Sequence, residues 1–119
     1  MYHESILNSI KKHCGLEADY EHFDQEIISF INATLMTLTQ IGVGPEEGFA
    51  ISDETETWGD YLGEEKTIQK LIAVKTYIGL KVRLAFDPPT NSFVLDSLKR
   101  QADEYEWRLN VQAESLKKT

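Results

Sequence analysis

The chain is short of the residues that staple, chelate or cross a membrane. It holds one cysteine, Cys14, in 119 residues, which excludes an internal disulfide and a cysteine-rich metal site and leaves the core to hold the fold. Cations are scarce, with 12 Lys and Arg against 20 Asp and Glu and a formal net charge of −8. Tight sequence-independent DNA binding works by setting many cations on phosphates and releasing counterions, so this balance argues against it. No apolar run approaches the roughly 18 residues that cross a bilayer, and the opening MYHESILNSIKKH has no apolar centre of the kind a secretory signal needs. The expectation is a cytosolic protein without membrane contact.

What is present is helical patterning. At 41% hydrophobic and 27% charged, the chain has the composition of one globular domain with a modest core. Ile6, Leu7 and Ile10 give a first helix over about residues 3–14, with Gly15 as its left-handed stop. A second helix, starting near Asp19 or Glu21, carries Phe23, Ile27, Phe30, Ile31, Leu35 and Leu38 and ends at Gly42, Gly44 and Pro45. Residues 42–63 then form an irregular insertion. Within it Phe49-Ala50-Ile51 has the pattern of a short extended strand, and residues 57–62 that of a brief helical turn whose Trp58 and Tyr61 either cover the bundle's end or meet a neighbouring subunit. A third helix, from about Glu64 to Phe86, is apolar on more than one face and therefore central.

Asp87-Pro88-Pro89 stops that helix, because proline has no amide hydrogen and restricts the residue before it. Thr90 and Asn91 can cap a further helix, in which Leu95, Leu98, Ala102, Tyr105, Leu109, Gln112 and Leu116 recur three and four apart. The result is a helical hairpin, and the fold class is all-α: a compact bundle of about four main helices with the insertion between the second and third.

No constellation of catalytic residues stands out. Phosphate loops, nucleophile elbows, His-Glu-x-x-His and calcium loops are all missing. His13 beside Cys14 falls short of the four ligands of a structural zinc site, and a thiol at a helix end is most often a packing residue. The pairs Glu46-Glu47, Asp53-Glu54 and Glu64-Glu65 suit solvated loops and helix starts. Asn32-Ala33-Thr34 matches a glycosylation sequon, but in mid-helix without a signal it is coincidental. No enzymatic activity, cofactor or metal is expected.

Interaction chemistry remains. Trp107, Arg108 and Val111 fall off the buried stripe of the last helix, and Trp, Tyr and Arg are the types most enriched at binding hot spots. Burial of Trp107 against the second or third helix is the plainer expectation. The candidate interface residues are Trp58, Tyr61, Arg100, Trp107, Arg108, Val111, Lys117 and Lys118, the last two in a tail, residues 115–119, that can fray or dock. Charge is split along the chain. Residues 1–63 carry two Lys and twelve acids, while residues 64–119 carry ten Lys or Arg and eight acids.

The segment KVRLAFDPP followed by a helix with EYEWRLN, together with the upstream INATLMTLTQIGVGPEEGFAISDETETWGDYL, resembles the small head-tail connector (adaptor) proteins of tailed bacteriophages and prophages. The resemblance covers nearly the whole chain. It implies a ring, dodecameric in the family's pattern, seated on the portal protein and receiving the tail or a head-completion protein, with DNA touching it only in passage through the channel. The location implied is the head-tail junction of the virion, reached from the host cytoplasm during assembly. A second class, a small acidic helical regulator of the anti-factor or antitoxin type, fits the same bundle without an active site.

Overall fold

The computed structural model describes residues 2–63 and 68–117, where five helices follow one another: α1 (Ile6–His13), α2 (Asp24–Gln40), α3 (Trp58–Leu62), α4 (Ile68–Phe86) and α5 (Ser92–Lys117). No strand occurs among the described residues; an isolated antiparallel bridge joins Ser5 to Thr57. The fold is an all-α bundle.

The apolar spacing on α4 explains its place. Leu71, Val74, Tyr77, Ile78 and Val82 are all buried, and they lie on enough of its circumference to meet α1, α2 and α5. α4 therefore separates α2 on one side from α5 on the other. Ile27, Ile31, Leu35 and Leu38 of α2 and Ile6, Leu7 and Ile10 of α1 close the same core. On α5, whose 26 residues span about 39 Å at 1.5 Å per residue, Ala102, Leu109 and Ala113 are the buried positions. That length nearly equals the 43 Å long axis of the molecule, so α5 forms one whole flank.

Local chemistry moves several boundaries. α1 begins at Ile6 because the Ser5 side chain accepts from the Asn8 amide at 3.2 Å as its cap, and the residues before it pair with the insertion instead. The Ile6 amide donates to the Glu56 carbonyl at 3.0 Å, the Trp58 amide to Glu4 at 3.2 Å and the Gly59 amide to Tyr2 at 2.7 Å. α2 starts at Asp24, later than its acids imply, because the preceding residues are taken up in turns. Lys11 draws that connection inward: it is fully buried, its Nζ donates to the Ala18 carbonyl at 2.9 Å, and it lies 2.7 Å from Asp24 Oδ1. Of the two candidate caps before α5, Asn91 serves, its Oδ1 accepting from the Phe93 and Val94 amides at 2.9 and 3.2 Å. Near the other end of α5 Ala113 is buried and Gln112 is exposed, while the side chain of the expected Leu116 lies outside the described residues. A straight helix of 3.6 residues per turn drifts off a strict heptad, so the step after Leu109 is four rather than three. The expected start of the third helix at Glu64 lies outside the described residues.

The expected strand at residues 49–51 is corrected. With no neighbouring strand to pair with, the segment lies extended along α2 and is held by a side chain: Asn32 accepts from the Ile51 amide at 2.8 Å and donates to its carbonyl at 3.0 Å. The asparagine of the chance sequon is thus a structural clamp. Downstream, the Glu56 carboxylate accepts from the Ser52 and Asp53 amides at 2.8 and 3.2 Å, and Thr57 with Asp60 makes a reciprocal cap at the start of α3.

Candidate assembly surface

Trp58 and Tyr61 are core residues, which takes both off the candidate interface. Trp58 is fully buried; its Nε1 donates to Ser9 Oγ at 3.1 Å, and Lys75 Nζ lies 5.9 Å from its ring centroid while reaching Glu4 at 3.3 Å. The capped turn of α3 aims this ring inward, where the largest side chain of the insertion fills the space beside α1. Tyr61 packs at a tilt against Phe49, ring centroids 5.1 Å apart, and faces Gly44, which has φ +85°; a Cβ there would stand 2.6 Å from Tyr61 Cε1. Burial pushes its phenol well above the ordinary value.

Four other candidates lie on the open side of α5. Arg100, Trp107, Arg108 and Val111 are all exposed, Trp107 at 66%. Trp107 therefore does not pack into its own bundle, contrary to the plainer expectation. Arg108 donates to Glu104 at 2.7 Å one turn back; between two exposed side chains such a pair adds about 0.5 kcal/mol. Arg100 makes no ion pair among the described residues. The Lys117 side chain and Lys118 lie outside the described residues.

Sequence reasoning missed Phe93, the most exposed large apolar residue at 85%. Counted by helical spacing, Phe93, Ser97, Arg100, Glu104, Trp107 and Val111 recur four and three apart, so they form a second stripe on the side of α5 opposite Ala102 and Leu109. The signal was available: two heptad stripes can be drawn on this helix, and only one can face α4. Met36 was missed as well. It is 63% exposed on the outer side of α2 and lines, with Asn32, Thr39, Gln40, Glu47 and Phe49, a groove of about 500 Å³.

The residues weighed for catalysis have structural surroundings. The His13 ring abuts Gly79 of α4, where a Cβ would come within 2.8 Å of it; desolvation, and then the charge of Lys75, lower its pKa. Burial raises the Cys14 thiol, with Arg83 opposing and Asp87 reinforcing the shift. That favours the thiol over the nucleophilic thiolate. Asp53 is fully exposed, and its carboxylate, held low by bonds from Thr55 Oγ1 and the Thr55 amide, shapes a turn. The Tyr77 hydroxyl donates to Glu106, locking α4 to α5, and burial and that carboxylate both push the phenol up. Among the described residues no group of three or more His, Cys, Asp or Glu is placed to hold a metal ion, and no helix is long and apolar enough to cross a membrane.

In comparison with known proteins, a family model described as phage connector protein matches residues 6–115, from the first residue of α1 into the last turns of α5. No curated protein and no solved structure matched the chain.

Proposed function

The chain belongs to the phage connector protein family, and we propose that within it this protein is a head-tail connector: it assembles as a ring on the portal, joins the DNA-filled head to the tail and contributes part of the DNA channel. The family match over residues 6–115 carries the reading. The family is a structural one, and the role asks for docking surfaces rather than a reaction. An exposed helical flank bearing Phe93, Trp107 and Val111 is in keeping with that requirement. The partners in this proposal are the portal, a tail or head-completion protein, and further copies of the chain, twelve to a ring. Assembly takes place in the host cytoplasm and ends in the virion.

The acidic balance fits the channel role. DNA slides past a wall that offers it few cations, since no counterions are released by sticking. A ring whose lumen proved basic, with its acids outward, would sink this part of the proposal.

The test is a tagged pull-down from cells expressing the neighbouring structural genes, followed by mass spectrometry and negative-stain microscopy. A portal-sized partner with symmetric ring particles is the expected result. Equimolar recovery of one unrelated regulatory protein, without rings, would favour an anti-factor type of function instead.

A further inference from the structure

Two separate apolar features lie on the surface of the subunit. One is the outer stripe of α5, with Phe93 and Val111 near its ends, Trp107 between them and Arg100 without an ion pair among the described residues. The other is the groove along α2, floored by Met36 and Phe49 and edged by Glu47, with Glu46 exposed beside it. α4 packs against both α2 and α5, and the stripe and the groove share no residue, so they are two separate patches of one subunit.

We propose that the occupant of the α2 groove is α5 of a second copy of this chain, with Trp107 seated between Met36 and Phe49 and Arg100 turned toward the acids at Glu46 and Glu47. The contact is heterologous: each subunit gives its helix to one neighbour and its groove to the other, and two different patches are what lets such a contact propagate into a closed ring. Shape and chemistry agree. Met36 is an unbranched, adaptable side chain suited to receiving a large ring, and Trp with Arg supplies the anchor types that dominate interface energies. Charge agrees at the contact itself, where the exposed Arg100 meets the exposed Glu46 and Glu47. An isologous pairing of α5 with α5 would cover the stripe but leave Met36 bare.

The inference rests on the ring reading and names the surfaces that build the ring. Its test uses Val111→Cys, one turn beyond Trp107, and Gln40→Cys, on the groove, in a Cys14→Ser background, with a flexible bis-maleimide added to rings assembled on portal. The expected result is a ladder of covalent oligomers when both cysteines are in one chain, and also a dimer when the two single-cysteine chains are mixed, with neither crosslinking alone. A dimer from Val111→Cys alone would overturn the proposal in favour of α5 pairing with itself. A crosslink from Val111→Cys to the portal would overturn it in favour of a portal contact. Intact rings with no crosslink from either position would overturn the surface assignment while leaving the ring reading standing, whereas a wild type that forms no ring with portal would remove both.

Discussion

The two tryptophans occupy opposite kinds of place. Trp58 belongs to the insertion, the least regular part of the chain, yet it is fully buried and its indole nitrogen is hydrogen-bonded to Ser9. Trp107 belongs to α5, the longest and most regular element, yet two thirds of it is exposed. The reason lies in the backbone. A helix satisfies its own amides and carbonyls, so one face can be left bare at little cost. Outside the single turn of α3 the insertion has no such ladder, and it holds its shape through Asn32 of α2, its own Glu56 and the residues preceding α1. Irregular structure here is integral to the core, while a regular helix leaves one face bare.

Mutations sharpen this contrast. Trp58→Ala should cost about 4 kcal/mol of unfolding free energy, the usual range for emptying a large aromatic site; urea denaturation showing a loss below about 1 kcal/mol would mean that the insertion is not integral to the core. Asn32→Ala removes both bonds to Ile51 and should cost about 2 kcal/mol by stranding a partly buried amide and carbonyl. Hydrogen exchange should then quicken at residues 49–51 before the helices respond.

A pH scan probes the junction of α1 with α4. His13 has a pKa below its ordinary 6.5 in the folded state. Above 6.5 it is neutral folded or unfolded and contributes no pH dependence. As pH falls through 6.5 the unfolded chain takes up the proton first, so stability drops until the folded pKa is passed. Thermal melting should record that loss in the wild type and a flatter profile in His13→Gln. At the other extreme, Trp107→Ala should change stability by no more than about 0.5 kcal/mol, as for an exposed site without buried contacts. A large loss in its melting temperature would break the comparison of the two tryptophans.

Much of the bundle was legible because its signals are local. Asp87-Pro88-Pro89 ends α4 wherever it stands, and the period of Leu95, Leu98, Ala102, Tyr105 and Leu109 marks the inner face of α5 without reference to its partner. What escaped depends on groups distant in sequence. Lys11 resembles a surface cation until Asp24 and the Ala18 carbonyl close over it, although its place one turn after Leu7 puts it on the buried face. Asn32 acquires its role from Ile51, 19 residues away. Trp58 and Trp107 are indistinguishable by type; a capped turn directs one inward, and the choice of which α5 stripe meets α4 leaves the other outside. The same choice exposes Phe93, a residue that composition alone would assign to the core.

Cryo-electron microscopy of the protein mixed with the portal proposed as its partner would test the central claim most directly. The expected map shows a twelvefold ring in which α5 of each subunit lies on α2 of the next, while Trp58 stays enclosed within its own subunit. A map in which the subunits bind portal singly, or form a ring whose α5 flanks face solvent, would contradict it.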